Sequence, residues 1–219
     1  MNKMVIFDLD GVITDTNLMH YKSWVEVANA LDESLSEKEY HTYLTGLSKS
    51  LALKKILELK NKQVEDMEHL IEVKNKKLDH LIGDISENDV FKNIRATLES
   101  LKFDQYRLVV YSGSTHAGEI LEKTNLDSYF EEVIDISGSM NDKSNHKNFE
   151  RVLEKYQVSP NMCVGIEDSN ISIAAMKRAG LLTVGVGGAI EEKNADVIVD
   201  DGNELDYSII KKLIESEVM

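Results

Sequence analysis

The sequence predicts an α/β fold, a doubly wound parallel sheet with an all-helical segment inserted into it. Short, continuous apolar runs alternate with amphipathic helix spacing at the start of the chain and again from about residue 88 to the end. This alternation is typical of strands that are buried on both faces of a sheet. Between residues 15 and 87 only helix-type spacing occurs. We therefore expect a core domain formed by residues 1–14 and 88–219, and a helical cap domain formed by residues 15–87.

Composition limits the classes of partner. The 219 residues are 42% hydrophobic and 29% charged, which is typical of a globular protein with a sizeable core. A net charge of −14 argues against nucleic acid or an anionic membrane as the main partner. No apolar stretch approaches the length of a membrane span or a secretory signal, so we expect a cytoplasmic protein. The single cysteine, Cys163, lies in an apolar run and is expected to be a buried, unreactive thiol.

The first strand is predicted at residues 4–7, and helices follow it. One apolar stripe at spacings of three and four residues predicts the first helix, and it consists of Leu18, Tyr21, Val25, Ala28 and Leu31. Further helices are predicted over residues 36–43, from residue 48, and over residues 67–81. Lys74 falls inside the apolar stripe of the last helix. It either extends to the edge of the bundle, the commoner outcome, or reaches a polar interface.

From residue 88 onward the pattern alternates. Strands are predicted at residues 107–111, 162–166, 182–186 and 196–199, and helices at residues 91–101, 115–123, 149–156, 171–179 and 207–214. Continuous apolar strands separated by amphipathic helices indicate a parallel sheet covered on both faces. The first strand belongs to the same sheet.

Polar residues follow several of these strands, at the sheet edge where doubly wound folds bind their ligands. They are Asp8 and Asp10 after the first strand, Ser112, Gly113 and Ser114 after the second, Lys143 in a later loop, and Glu167 and Asp168 after the strand at 162–166. Carboxylates suit a hard cation, while hydroxyl groups, backbone amides and a lysine suit a phosphate.

Each of these groups also has an ordinary structural explanation. Asp8 and Asp10 could simply mark a strand that turns polar at Gly11. Ser114 or Thr115 could be only a helix N-cap, and Glu167 and Asp168 could be only the acidic start of a helix. Lys143 could be a solvated loop residue. These explanations do not account for the coincidence of all four groups at strand ends of one sheet, so we favour a joint functional site.

Residues 7–12 (Phe-Asp-Leu-Asp-Gly-Val), Ser112, Lys143 and residues 165–169 (Gly-Ile-Glu-Asp-Ser) resemble the four motifs of the haloacid dehalogenase superfamily in its phosphotransferase form. Residues 8–16, His20, Trp24 and the closing Gly-Val-Gly at residues 185–187 are similar to the β-phosphoglucomutase family within it. The resemblance spans nearly the whole chain. It implies a Rossmann-like core with a helical cap.

The resemblance also implies roles. Asp8 would be the nucleophile that takes the phosphoryl group, and Asp10 the general acid and base, with its pKa raised by burial and by Asp8. Mg2+ would be held by the Asp8 carboxylate, the Asp10 carbonyl, Asp168 and Glu167. The implied reaction converts β-glucose 1-phosphate to glucose 6-phosphate through a bisphosphate, with a sugar bisphosphate as activator. The alternative is a Mg-dependent sugar-phosphate phosphatase of the same family. The implied partner is a small phosphorylated sugar, and we expect a monomer.

A non-catalytic metabolite-binding module on this fold is a third hypothesis. It would require the loss of a catalytic group, yet Asp8, Asp10, Lys143 and Asp168 are all present.

The resemblance also implies a set of substrate-binding residues, most of them in the cap. They are Thr16, His20, Trp24, Gly46, Ser48, Lys49 and Lys74, with His116 on the core side. The family places His20 and Lys74 at the cap–core interface and Trp24 near the sugar. On spacing alone, His20 and Trp24 are equally well explained as a pair of aromatic residues packed inside the helical bundle.

The sequence departs from the family pattern in three places along the chain. Residues 45–49 read Thr-Gly-Leu-Ser-Lys where the family carries Lys-Gly-Val-Ser-Arg, which removes one cation and replaces a bidentate guanidinium by a point charge. Thr115 and His116 stand where the family has Lys-Asn, and Ser144 stands where it has proline. We therefore expect intact phosphoryl-transfer chemistry and a weaker site for a second, non-reacting phosphate.

Overall fold

The computed structural model describes residues 2–45, 47–136, 143–188, 190–191 and 193–216. The chain divides into two compact units. The sheet unit comprises Met1–Asp15 and Ser86–Met219, and the helical unit comprises Thr16–Ile85. From the sequence, the boundaries were expected after residues 14 and 87.

The sheet unit is built on six parallel strands in the order β3-β2-β1-β4-β5-β6, which confirms the predicted doubly wound α/β class. The strands are β1 (Met4–Phe7), β2 (Arg107–Ser112), β3 (Glu132–Asp135), β4 (Cys163–Glu167), β5 (Leu182–Val186) and β6 (Val197–Val199). β1 is central and fully buried, with Phe7 in register with Val110 of β2 and Ile166 of β4. Its apolar sequence therefore pairs on both sides, as the continuous hydrophobic run predicts.

Strand β3 was not predicted. Its sequence, Glu-Val-Ile-Asp, has only two apolar residues, and it lies at the edge of the sheet with three residues half-buried and one exposed. An edge strand needs less apolar sequence than a central one, so hydrophobic patterning does not reveal it. Its register places Asp135 beside Ser112.

The helical unit contains α1 (Asn17–Ala30), α2 (Glu37–Tyr43), α3 (Lys49–Leu59) and α4 (Met67–Gly83), near the predicted positions. Its core is a hydrophobic cluster that includes Trp24, Val27, Leu53 and Ile56. A capping box between Ser36 and Glu39 begins α2, because each side chain bonds the backbone of the other residue.

Lys74 does not extend to the edge of the bundle. The residue is 1% exposed, and its Nζ lies 5.8 Å from the centre of the Trp24 ring. The expectation that its ammonium group reaches solvent was wrong, because α4 packs along α1 and buries the stripe in which Lys74 lies.

The remaining helices belong to the sheet unit. They are α5 (Ile94–Phe103), α6 (Ala117–Lys123), α7 (His146–Tyr156), α8 (Asn170–Arg178) and α9 (Tyr207–Ser216). α5 contacts β2, and α8 contacts β4 and β5. Gly165 in β4 permits a close approach of α8, because a Cβ there would lie 2.4 Å from Met176 Sδ. Cys163 is buried as expected, and burial raises the pKa of its thiol.

The segments at which the chain leaves and re-enters the sheet unit run side by side. Asp15 N donates to Asp89 O (2.9 Å) and Phe91 N donates to Ile13 O (3.1 Å). An antiparallel bridge joins Thr14 and Val90 between them. Among the described residues, no helix combines the length and the apolar character needed to cross a membrane.

Candidate active site

The chain turns sharply after the central strand. Asp8 N still donates to Ile166 O (2.9 Å), so Asp8 continues the pairing of β1 with β4. The next residues form a tight turn in which Ile13 N and Thr14 N both donate to Leu9 O. Gly11 adopts a φ of +80° there, which a residue with a Cβ rarely adopts. The turn leaves Asp8 buried, at 3% exposure, and Asp10 partly exposed.

Three carboxylates meet at the carboxyl end of the sheet. One oxygen from each of Asp8, Glu167 and Asp168 lies within 4.8 Å of the other two. The meeting follows from topology, because β1 and β4 are neighbours in parallel register, Asp8 directly follows β1, and Glu167 ends β4. Asp8 and Glu167 are buried, and Asp168 is partly exposed.

Lys143 completes this cluster. Its Nζ lies 2.7 Å from Asp8 Oδ1 and 2.5 Å from Glu167 Oε1. The other oxygen of Glu167 accepts a hydrogen bond from Ser169 N at 2.9 Å. The side chain of Lys143 is only 15% exposed, so the explanation of a solvated loop residue is wrong.

The electrostatics of the cluster follow from burial and proximity. Burial raises the pKa of Asp8 well above its usual value, the charge of Glu167 raises it further, and Lys143 opposes both effects. Burial alone would lower the pKa of Lys143, but the attraction of Asp8 and Glu167 outweighs it and raises that pKa. Lys143 is therefore a permanent cation at neutral pH.

The donor set fits a magnesium ion. Magnesium prefers oxygen ligands, and all three acids offer carboxylate oxygens within reach of one point. The three acids outnumber the ammonium group of Lys143, so a divalent cation would offset the excess negative charge. Asp8, Glu167 and Asp168 are thus brought together as the predicted metal set requires. The contribution of the Asp10 carbonyl stays a prediction.

The predicted phosphate residues form a compact turn after β2. Ser112 is fully buried, and its Oγ accepts from Ser114 N at 3.0 Å. Ser114 Oγ accepts in turn from His116 N at 3.3 Å. His116 is the N-cap of α6, so the explanation that Ser114 or Thr115 is simply the N-cap was wrong. A Cβ at Gly113 would meet no atom within 4 Å, so there is open space at this turn.

The predicted cap residues are spread over the helical unit. Thr16 is buried as the N-cap of α1, His20 is half-buried on α1, and Ser48 caps α3 by accepting from Leu51 N at 3.4 Å. Lys49 is the first residue of α3. Gly46 lies outside the described residues.

Trp24 and Lys74 are the predicted cap residues that the structure places near each other within this unit. Trp24 belongs to the hydrophobic cluster, which supports the explanation of a packed aromatic residue for Trp24. Its contact with a sugar stays a prediction, as do the roles of the other cap residues.

Two residues near the site were missed from the sequence. Asp135 reaches the carboxyl edge of the sheet beside Ser112 only because β3 exists. Asn170, two residues after Asp168, holds the loop that follows β5: its Oδ1 accepts from Glu191 N (3.1 Å) and from Asn194 Nδ2 (2.9 Å). In the sequence, Asn170 is visible only as an asparagine at the start of a predicted helix. That position does not indicate a hydrogen-bond partner 21 residues away.

Comparison with known proteins agrees with this site. Residues 5–186 match the family model of haloacid dehalogenase-like hydrolases. The chain is 31% identical to a β-phosphoglucomutase of Bacillus subtilis over 213 residues, covering 95% of this chain and 93% of that protein. It is 27% identical to a phosphorylated carbohydrates phosphatase of Thermotoga maritima, covering 81% of each chain.

A solved structure supports the same relationship. The crystal structure of a β-phosphoglucomutase from Clostridium difficile superposes with a TM-score of 0.89 at 31% identity, covering 100% of this chain and 99% of that one. The four motifs at the strand ends, the sheet order and these full-length similarities agree. This chain belongs to the haloacid dehalogenase-like hydrolase family, and within it to the β-phosphoglucomutase-like members.

Proposed function

We propose that this protein transfers a phosphoryl group on a sugar phosphate through a covalent aspartyl phosphate on Asp8, as a β-phosphoglucomutase. The observation that carries the proposal is the placement of a buried Asp8 carboxylate 2.7 Å from Lys143 Nζ, beside Glu167 and Asp168. The pairing with Lys143 opposes the burial that raises the pKa of Asp8, and a bound metal ion would further favour the charged carboxylate, which is the nucleophilic form.

In the first half-reaction an Asp8 oxygen forms a bond to phosphorus as the bond from phosphorus to the sugar oxygen breaks. Asp10 gives its proton to the leaving sugar oxygen. In the second half-reaction Asp10 takes the proton of another sugar hydroxyl, whose oxygen attacks phosphorus and frees Asp8. Ser112, Ser114 and the amide of Gly113 bind the phosphoryl oxygens, and Lys143 offsets their charge.

Magnesium would be held by Asp8, Glu167 and Asp168 with the Asp10 carbonyl. When bound, it supplies positive charge that neutralises the phosphate and lets an anionic carboxylate approach it. Lys143 orients Glu167, since it contacts that carboxylate at 2.5 Å, and Ser169 N donates to the second oxygen. Isothermal titration with MgCl2 should show one site in the wild type and greatly weakened binding in Asp168→Asn.

The proton transfers predict a bell-shaped pH profile of kcat/KM. Asp10 must be protonated for the first half-reaction and ionised for the second, so activity should fall on both sides of an optimum. A profile that stays flat around neutral pH would contradict the role of Asp10.

The alternative is a sugar-phosphate phosphatase, in which water replaces the sugar hydroxyl. The likeness to the Thermotoga maritima phosphatase favours it. So do Thr45, Lys49 and His116, which provide fewer fixed cations and donors for a second phosphate than the β-phosphoglucomutase pattern does.

One experiment separates the two. β-Glucose 1-phosphate is supplied with Mg2+ and a trace of glucose 1,6-bisphosphate, and glucose 6-phosphate and free phosphate are measured together. We expect isomerisation to exceed phosphate release. Phosphate release without isomerisation would replace the mutase by the phosphatase. We further propose that the enzyme acts in the cytoplasm as a monomer, which light scattering of the purified chain would test for the oligomeric state.

A further inference from the structure

A cavity of about 200 Å³ lies in the sheet unit, between α7 and the β2–β3 edge of the sheet. Its apolar walls are Tyr111 of β2, Ile134 of β3, Ile136 just after β3, and Val152 of α7. The ring of Tyr111 packs against Phe149 of the same helix at 4.7 Å between ring centres. None of the proposed metal or phosphate residues lines this cavity.

Glu132 and Lys155, which both line the cavity, form an ion pair with each other. Lys155 Nζ lies 2.5 Å from Glu132 Oε2, and Tyr156 OH donates to the same oxygen at 2.7 Å. The hydrogen bonds from Lys155 and Tyr156 lower the pKa of Glu132, so this carboxylate is ionised at neutral pH. A negatively charged ligand group placed beside Glu132 would therefore be repelled.

Arg151 also lines the cavity, and its contacts differ from those of Lys155. Arg151 lies one helical turn before Lys155 on the same face of α7, and this exposed residue lines the cavity. Its Nη1 donates to Oδ1 of the buried Asn148 at 3.1 Å, which orients the guanidinium. In the described ranges of the chain, Arg151 takes part in no ion pair with a carboxylate. Arg151 therefore brings to the cavity lining a guanidinium that Asn148 orients and whose other donors can bind a ligand.

We propose that this cavity binds a small organic monocarboxylate, with the carboxylate on Arg151 and a short apolar chain between Ile134, Ile136 and Val152. The planar fork of a guanidinium matches two carboxylate oxygens. Glu132, which also lines the cavity, makes a doubly charged phosphate less favourable than a single charge. The volume is below the ~300–1,000 Å³ of pockets for drug-sized ligands, which selects a small molecule.

The cavity lies next to elements that adjoin the proposed phosphate-binding residues. Tyr111 directly precedes Ser112, and α7 begins three residues after Lys143. A ligand held between Tyr111 and α7 therefore contacts the strand that ends at Ser112 and the helix that follows the Lys143 loop. The binding itself does not depend on the proposed reaction, so a failure of one leaves the other standing.

The test is titration of the full-length, 15N-labelled protein with sodium butyrate at constant ionic strength, followed by amide chemical shifts. We expect saturable shifts in β3 and α7 that sodium chloride does not reproduce. Arg151→Gln should weaken butyrate binding by about tenfold, the loss of a charge-assisted bidentate contact. Arg151→Lys should bind with intermediate affinity, because it keeps the charge without the fork.

Arg178→Gln is the matched control. Arg178 is an exposed arginine on the neighbouring helix α8 and does not line the cavity. It should bind butyrate as the wild type does. The site would be overturned by an absence of saturable shifts in β3 and α7, or by equal affinities of Arg151→Gln and Arg178→Gln. Inorganic phosphate that binds there as tightly as butyrate would overturn the carboxylate assignment.

Discussion

The sheet unit and the helical unit each bury a lysine, but in different surroundings. Lys143 lies between two carboxylates at 2.7 Å and 2.5 Å, both supplied by residues that follow neighbouring strands. Lys74 lies 5.8 Å from the centre of an aromatic ring on a packed helix. Burying a charge without a compensating partner costs free energy. Buried charged side chains are therefore found where neighbouring groups offset that cost or where the charge has a function. Lys143 is held by two short contacts with carboxylates.

Asp8→Asn should have the largest effect. Removing the nucleophile should lower kcat by more than ~10³-fold, the scale seen when a covalent nucleophile is lost. Steady-state kinetics with β-glucose 1-phosphate measure this. Asp127→Asn, an exposed aspartate in the same unit, is the matched control and should leave kcat unchanged. Full turnover by Asp8→Asn would remove the basis for both the mutase and the phosphatase.

Lys143→Gln tests the carboxylate side of the comparison. It should lower kcat by ~10²–10³-fold through lost charge stabilisation. It should also reduce the free energy of unfolding by about 3 kcal/mol in the metal-free protein, since it leaves Asp8 and Glu167 buried without their cation.

Urea denaturation measures that loss, and Lys177→Gln is its control. Lys177 pairs with Asp196 at 2.6 Å, but both side chains are about a third exposed. Its loss should cost under ~1 kcal/mol. Equal destabilisation by the two variants would mean that the buried ion pairs of Lys143 contribute no more to stability than an exposed pair.

Lys74→Met tests the aromatic side. The variant keeps the approximate length of the side chain and removes the charge. If Lys74 is a substrate-binding cap residue, as the resemblance to the β-phosphoglucomutase family implies, KM should rise about tenfold, the value of one charged hydrogen bond of ~1.5 kcal/mol. A loss of stability with an unchanged KM would make Lys74 a purely structural residue.

Glu39→Gln, in the helical unit, should have the smallest effect. Hydrogen bonds from Lys60 and Ser36 lower the pKa of Glu39 to about 2. Because this pKa is depressed on folding, the stabilisation is present above the usual value of 4.5 and is lost as pH falls through about 2.

Glutamine retains the capping bond to Ser36 N but not the charge pair with Lys60, which lies at 2.5 Å. At neutral pH the variant should lose under ~1 kcal/mol of stability. The difference from the wild type should disappear near pH 2, as measured by thermal melts across pH. A difference that grows with acid would contradict the sign of this pKa change.

The sequence by itself determined the parallel sheet and the chemistry at its strand ends. Asp8, Ser112 and Glu167 each follow an apolar run, and parallel strands bring their carboxyl ends to one edge. Local patterning was sufficient there because burial on both faces requires a continuous apolar strand, and a polar residue directly after it stands out.

Only the tertiary structure decided the rest. The pairing of Lys143 with Asp8 and Glu167 comes from a loop whose position no local pattern specifies. The burial of Lys74 depends on how α4 packs along α1, and Asp135 joins the site edge only through the edge strand β3. These contacts depend on which distant segments become neighbours, whereas periodicity reports only which face of each segment is buried.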